Sequence, residues 1–293
     1  MTEHILFYGK GGVGKSTLIS NISAALTEAG FRVMQVGCDP KGDSCNTLNG
    51  GRPIPTVSEL LRRNGRVSLD DVVQRGFKGV ATLEIGAPED GTGCSTAEGI
   101  RRIFDAIEQR QVFEFVRADF VLYDISGESC FAAYHEMLGK RGANRLFLIT
   151  NADYMSLVTA NKTFESLERI GDSRTPIPFG GLIPNDISSS FEDSFIADFA
   201  RNTSTQVLGR VPRSLMVRQC ELYGKTVIEA SPLSNQSYFY RRLANQIVDS
   251  SKTLSVKKQP QAMSPDRLRE WSYEWADRLH ALENGLVSDG AAI

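Results

Sequence analysis

Cysteine is sparse in this chain of 293 residues, and its five copies stand far apart at positions 38, 45, 94, 130 and 220, with no Cys-x-x-Cys pair. That spacing excludes a zinc knuckle. An odd count argues against a disulfide framework. No apolar run approaches the roughly 18 residues of a membrane span, so none is expected. Neither sign of charge is in excess: a net charge of -2 creates no basic field, and nucleic acid is not an expected partner. The first residues enter an apolar strand directly and leave no room for a signal peptide, which makes the cytoplasm the expected compartment. The remaining composition, 41% apolar and 23% charged, is that of a soluble globule. Lone cysteines are mostly small buried hydrophobes. Cys38, at a strand end, and Cys220 are read so, while Cys45 is left open.

Glycine, by contrast, is concentrated where it carries chemistry. The run Gly9-Lys10-Gly11-Gly12-Val13-Gly14-Lys15-Ser16-Thr17 fills the phosphate-loop frame G-x-x-x-x-G-K-[ST]. Its glycines let backbone N–H groups fold around a pyrophosphate. Lys15 is placed to reach the β- and γ-phosphates, and the Ser16 hydroxyl to sit on Mg²⁺. The apolar run Ile5-Leu6-Phe7-Tyr8 before it predicts a buried strand. Ser16 to Glu28 after it predicts a helix whose N-terminus faces the anion. Lys10 is surplus to this frame. It either lies in solvent or serves the nucleotide of a second copy of the chain, which would require a dimer.

Strand and helix signals alternate along the chain. Strands are expected over Arg32–Gly37, Ala81–Gly86, Phe120–Tyr123, Arg145–Thr150, Gly180–Ile183 and Gln206–Val211, and helices over about Met155–Ile170 and Ser190–Arg201. This order predicts an α/β fold: a mostly parallel sheet with helices on both faces. Ligands then gather at the carboxyl ends of the strands. Residues 1–250 form the expected nucleotide-binding domain. Residues 251–293 are expected to be a polar linker and a C-terminal amphipathic helix, with Leu268, Trp271, Trp275 and Leu279 at helical spacing over Pro265–Glu283. That stripe suits either the chain's own core or a partner.

Two further strand ends carry acids. Gly37-Cys38-Asp39-Pro40-Lys41-Gly42-Asp43-Ser44 is a kinked loop suited to sensing Mg²⁺ and the γ-phosphate. Asp39 is the candidate for orienting the attacking water, Asp43 for holding the metal's water shell, and Lys41 for balancing phosphate charge. Asp124 ends an apolar strand as a Walker-B acid does and is a Mg²⁺ candidate together with Ser16. The Ile125-Ser126-Gly127-Glu128 that follows reads as a second switch, with Glu128 a candidate for activating water.

The lysine-rich phosphate loop is that of the deviant Walker-A group of P-loop NTPases, which includes the Mrp, Min and arsenite-pump ATPases. Five further segments narrow the match. Val36-Gly37-Cys38-Asp39-Pro40-Lys41 with Asp43-Ser44, Gly91-Thr92-Gly93-Cys94, Tyr123-Asp124 with Gly127 and Cys130, Val211-Pro212-Arg213, and Thr226-Val227-Ile228-Glu229 together resemble the nitrogenase iron protein family over about residues 4–250. The resemblance implies a C2 homodimer with one [4Fe-4S] cluster on the two-fold axis. A cubane needs four thiolates, and two chains each contributing Cys94 and Cys130 supply them. It implies MgATP as nucleotide, bound by Gly9 to Thr17, Lys41, Asp39, Asp43 and Asp124, with Lys10 reaching the other subunit's nucleotide. On the adenine side it implies Asn185, Pro212, Arg213, Gln236 and Tyr240. Its partners would be a nitrogenase-like catalytic component and a ferredoxin or flavodoxin donor.

The departures from the family pattern lie around the cluster cysteines. Ser95-Thr96-Ala97-Glu98-Gly99 stands where the family has an arginine and close-set glycines. Between Asp124 and Cys130 the chain is one residue short, Glu128 replaces an aspartate, and Phe131-Ala132 replaces a glycine pair. Arg218 stands for an adenine-side glutamine. These changes predict an altered cluster potential or docking face, and a substrate other than dinitrogen: a methylthio-alkane or a tetrapyrrole, with dinitrogen the alternative. A different class of reading is a Mrp/Min-type ATPase that handles cargo or clusters without redox turnover. That reading needs neither Cys94 nor Cys130.

Overall fold

A computed structural model of the chain describes residues 2–87, 97–127, 131–170, 177–252 and 259–286. Cys94, Glu128 and Cys130 lie outside the described residues, as do Gly91, Thr92, Gly93, Ser95 and Thr96. The fold is organised by strands whose side chains alternate between two cores. In β1 (Glu3–Tyr8), Ile5 and Phe7 enter one core while Leu6 and Tyr8 enter the other. β5 (Phe120–Ile125) and β6 (Arg145–Thr150) alternate in the same way, with Leu122, Phe147 and Ile149 on the first side and Val121, Tyr123, Leu146 and Leu148 on the second. Both faces are apolar because both are covered, the condition under which a parallel sheet is stable.

The other strands are β2 (Val33–Cys38), β3 (Gln74–Arg75), β4 (Ala81–Glu84), β7 (Phe179–Ile187) and β8 (Val211–Pro212). Their order across the sheet is β3-β4-β2-β5-β1-β6-β7-β8. All neighbours pair in parallel except β3 with β4. β1 therefore lies inside the sheet, flanked by β5 and β6. The first core is covered by α1 (Lys15–Glu28), with α9 (Leu215–Leu222), α10 (Val227–Ala230) and α11 (Asn235–Lys252). The second is covered by α2 (Val57–Asn64), α3 (Leu69–Val72), α4 (Ala97–Gln109), α5 (Val112–Val116), α6 (Phe131–Lys140), α7 (Tyr154–Ile170), α8 (Ser190–Asn202) and α12 (Pro265–Glu283). The predicted α/β class, with helices on both faces of a mostly parallel sheet, is the observed one.

One expected strand is nearly absent. Gln206–Val211 pairs only through a bridge between Val207 and Leu182 and through the two residues of β8. Gly209 interrupts it, packed so closely on Gln246 that a Cβ there would lie 2.5 Å from the Gln246 Oε1. β7 conversely runs past its expected end through Pro184 and Asn185 to Ile187, with a register irregularity between Asn185 and Ile187. Asp186 there adopts a φ of 62°, in the left-handed region.

Helix α12 closes the second core. It begins at the Ser264 cap, whose hydroxyl accepts from the Arg267 N–H, with Pro265 in the first turn where its missing N–H costs nothing. Leu268, Trp271 and Trp275 are buried, and Leu279 sits at the rim. Trp271 stacks on Phe195 at 4.9 Å, and Trp275 meets Phe191 edge-on at 5.4 Å. Burial of large apolar side chains contributes roughly 1.5–3 kcal/mol each. The stripe packs on the chain's own core. Both indole N–H groups donate to one atom, Asp198 Oδ2, at 2.8 and 2.9 Å. Burial works to raise the Asp198 carboxyl, but the bonds from Trp275, Trp271 and Arg201 outweigh it and hold the group below the ordinary value. Asp198→Ala leaves two buried indole donors without an acceptor, at about 1–3 kcal/mol each. The expected result is a melting temperature lower by about 5 °C or more, measured by thermal unfolding.

Candidate nucleotide site

Four segments meet at the carboxyl ends of the central strands. The phosphate loop leaves β1 at Gly9, where a Cβ would lie 2.2 Å from the Ile149 carbonyl oxygen of β6. The strand end accordingly admits only glycine. Gly12 and Gly14 take φ of 86° and 81°, the left-handed conformation that aims successive N–H groups inward. Gly14 is the N-cap of α1, so the helix begins at Lys15. Lys15 is buried, and its Nζ donates to the Lys10 carbonyl at 3.1 Å. Lys10 itself is half-buried, and Ser16 and Thr17 are partly accessible.

Asp124 stands in register with Phe7 of β1 on one side and Gly37 of β2 on the other. It is only 2% exposed, and its Oδ2 has no hydrogen-bond partner among the described residues. Burial pushes its carboxyl above the ordinary value, against the pull of the Ser16 hydroxyl and the Lys15 ammonium. A buried, orphaned carboxylate oxygen beside a phosphate-loop serine fits a divalent cation, which would supply the missing partner. Asp39 and Asp43 lie on the loop that leaves β2. The Asp39 carboxylate accepts from the Lys41 N–H at 2.9 Å, and its carbonyl accepts from the Gly42 N–H at 3.0 Å, a turn that leaves Lys41 and Asp43 exposed.

The second switch rests directly on the phosphate loop. A Cβ on Gly127 would fall 2.5 Å from the Gly9 carbonyl oxygen, 2.6 Å from the Gly11 nitrogen and 2.9 Å from the Lys10 carbonyl carbon. Real Cβ atoms do not approach backbone so closely.

On the far side of the phosphate loop lies a cavity of about 220 Å³ bounded by Gly12, Val13, Gly14 and Thr17 and by residues of β7, β8, α9 and α11. Asn185, Pro212, Gln236 and Tyr240 all line it. The Asn185 Nδ2 donates to the Val13 carbonyl at 2.8 Å, and the Gln236 Nε2 donates to the Pro212 carbonyl at 3.2 Å. Arg213 is not in this cavity. It borders a neighbouring groove floored by Phe191, Phe195 and Trp275, with its guanidinium 3.7 Å from Asp186. Arg218 lines the cavity, and so does Glu221, which accepts a hydrogen bond from the Thr17 hydroxyl. Asn151 and Glu221 were not singled out from sequence. Asn151 follows a strand end directly and was findable on that signal, whereas Glu221 is brought in by α9 from a part of the chain without a motif.

Glu84 is the other residue that motif reading passes over. It ends β4, as Asp124 stands next to the end of β5, is fully buried, and its Oε1 accepts from the Cys45 N–H at 2.6 Å. Gly37 makes room for it: a Cβ there would lie 1.9 Å from Oε2. Burial, with Asp124 and Asp43 adding to it, pushes the Glu84 carboxyl up to about 8 from an ordinary 4.5. Below about 4.5 folded and unfolded chains both hold this proton; between there and about 8 only the folded chain does. Its contribution to stability is therefore fully present at low pH and is lost as pH rises through this window. Glu84→Gln should remove that slope, so that the stability difference between variant and parent shifts in the variant's favour from pH 5 to about pH 8. Urea unfolding across that range measures it.

Among the described residues no group of metal-ligating side chains is assembled. Cys38, Cys45 and Cys220 are buried free thiols whose pKa burial raises, the wrong state for ligation. The segments leading to Cys94 and Cys130 leave β4 and β5, which flank β2 in parallel and so end on the same edge as the phosphate loop. Cys94 and Cys130 lie beyond these strand ends, outside the described residues; two thiols per chain would make half the donor set of a cubane.

Comparison with known proteins gives the chain's family. Residues 3–276 match the family model described as 4Fe-4S iron sulfur cluster binding proteins, NifH/frxC family. A nitrogenase iron protein 2 of Paenibacillus durus is 42% identical over 290 residues, covering 99% of this chain and 97% of that protein. The nitrogenase iron protein of Methanospirillum hungatei JF-1 is 38% identical over 252 residues, covering 85% and 89% respectively. Among solved structures, the cell division ATPase MinD of Pyrococcus furiosus superposes with a TM-score of 0.65 at 20% identity, covering 85% of this chain and 99% of that one. At that identity the likeness shows the fold alone.

Proposed function

This chain belongs to the NifH/frxC family of 4Fe-4S cluster binding proteins, and on that premise we propose that it is the ATP-hydrolysing reductase component of a nitrogenase-like system. The observation that carries the reading is the shared strand edge, where the phosphate loop, the Asp39–Asp43 loop and the ends of β4 and β5, the strands that precede the two candidate cluster cysteines in the chain, come together.

In this reading the backbone amides of Gly11 to Gly14, with Lys15, hold the phosphates of ATP. Ser16 and Asp124, with Asp43 near by, would hold Mg²⁺, which would offset phosphate charge. Asp39 and Glu128 orient and activate the attacking water, and Lys41 offsets phosphate charge. Asn185, Pro212, Gln236 and Tyr240 hold the adenine side, with Arg213 at its margin. Lys10 reaches the nucleotide of the second subunit, which makes hydrolysis a property of the homodimer. Cys94 and Cys130 of both subunits would ligate one [4Fe-4S] cluster, which when bound supplies a one-electron carrier between a ferredoxin or flavodoxin and the catalytic partner. The substrate belongs to that partner. The rewritten residues on both sides of the cluster cysteines favour a methylthio-alkane or a tetrapyrrole over dinitrogen.

The alternative, a Mrp/Min-type ATPase that handles cargo without redox turnover, gains nothing from α12, whose Leu268, Trp271 and Trp275 are buried in the chain's own core. Anaerobic purification followed by iron analysis and EPR tests the proposal. A brown dimer with a reducible cubane signal is expected, and a colourless, iron-free dimer would sink it. Co-purification of the catalytic partner, followed by assays on each candidate substrate, tests the substrate; reduction of dinitrogen at the highest rate would overturn that part.

A further inference from the structure

Helix α6 begins directly after Cys130, and its first turn touches the ends of both strands that carry nucleotide loops. The Phe131 ring packs on the Tyr8 ring with centroids 4.8 Å apart and planes tilted by 42°. Tyr8 is the last residue of β1 before the phosphate loop, and its hydroxyl lies 3.4 Å from the Gly127 carbonyl oxygen in the second switch. Three residues along α6, the Tyr134 hydroxyl donates to the Cys38 carbonyl, also at 3.4 Å. Cys38 is the last residue of β2 before Asp39. The Tyr134 ring also meets Phe104 edge-on at 6.5 Å, on α4, the helix that starts three residues after Cys94. Positions three apart share a helix face, so one face of α6 contacts β1, β2 and α4 together. Both rings are buried, so neither can move without displacing a packed neighbour.

We propose that Phe131 and Tyr134 are positioning residues that tie helix α6, and through it Cys130, to the bases of the phosphate loop and the first switch. This inference rests on the cluster reading above. It gives the nucleotide site a route to the cluster ligand through packed side chains, in addition to the main chain from Asp124 to Cys130. The route uses one of the departures from the family pattern. Phe131 stands where the family pattern has one of a glycine pair, and a glycine has no side chain to set against Tyr8. The contacts act at two points on one helical turn. Phe131 fixes α6 against β1, and Tyr134 fixes it against β2. A movement of either loop base is thereby passed to the start of the helix.

The test uses the full-length protein purified with its iron. The rate at which a chelator removes iron is measured with and without MgATP, and MgATP affinity is measured separately on cluster-free protein. In the parent protein MgATP should change the rate. In Phe131→Ala and Tyr134→Phe the MgATP effect should shrink by a factor of about five or more. The nucleotide-free rate and the affinity of cluster-free protein for MgATP should stay as in the parent. A merely structural role would move those two quantities as well. Phe131→Leu, which fills the space without a ring, gives the same reading if the alanine variant does not fold. An undiminished MgATP effect in both variants overturns the proposal, as does a parent protein whose iron loss ignores MgATP. A loss of MgATP affinity in cluster-free protein also overturns it, since the residues would then act in nucleotide binding itself. A parent protein that never carries iron is the different failure, that of the cluster reading.

Discussion

Gly127→Ala should lower ATP hydrolysis by about a hundredfold while leaving the protein folded. The added methyl meets only backbone: the Gly9 carbonyl oxygen at 2.5 Å, the Gly11 nitrogen at 2.6 Å and the Lys10 carbonyl carbon at 2.9 Å. No side chain can swing aside to admit it. Either the second switch or the phosphate loop must retreat by about 1 Å, and a displacement of that size at a reacting centre costs about 10²-fold in rate. The fold should survive because Gly127 sits beyond the end of β5, outside the sheet ladder. Phosphate release gives the rate and far-UV circular dichroism the fold. A folded variant hydrolysing within a few-fold of the parent would mean that contact between the two loops does not matter for turnover.

Cys130→Ala should remove all bound iron, and Cys220→Ala should remove none. The contrast follows from thiol chemistry. A ligand must be a thiolate, and burial holds Cys220 in the thiol form within the core formed by α1, α9, α10 and α11. A symmetric dimer cannot replace one missing pair of donors, so the expected content falls from about four iron atoms per dimer to none. Cys94→Ala should behave like Cys130→Ala. Iron analysis and the EPR signal of reduced protein measure this, and a Cys130→Ala dimer that keeps its cubane would contradict the ligand assignment.

The residues legible in the sequence were those whose role is set by neighbours in the chain. The phosphate loop, Asp39 to Asp43 and Asp124 each follow an apolar run, and each lies at a strand end. Asn185, Pro212, Gln236 and Tyr240, expected on the adenine side from motif resemblance, do line one cavity, whereas Arg213 borders a neighbouring groove near Asp186. Residues defined by distant partners were not legible. Glu84 has its meaning from Gly37 and Cys45, on another strand and loop. Asp198 has its meaning from two tryptophans more than seventy positions away. The Trp stripe announced a helix but not its acceptor, because periodicity describes a face and not what the face meets. The Gln206–Val211 strand failed for a similar reason: an edge segment with a glycine is decided by its neighbours across the sheet and not by its own composition.

The position of β1 between β5 and β6 bears on how the molecule opens. Amides of an interior strand exchange with solvent only when the whole domain unfolds, whereas switch loops beyond strand ends exchange through small local openings. Deuterium uptake should therefore be slowest over Ile5 to Tyr8 and fast over Lys41 to Asp43, with a steep step at Gly9. The phosphate loop is hinged to the least yielding part of the protein.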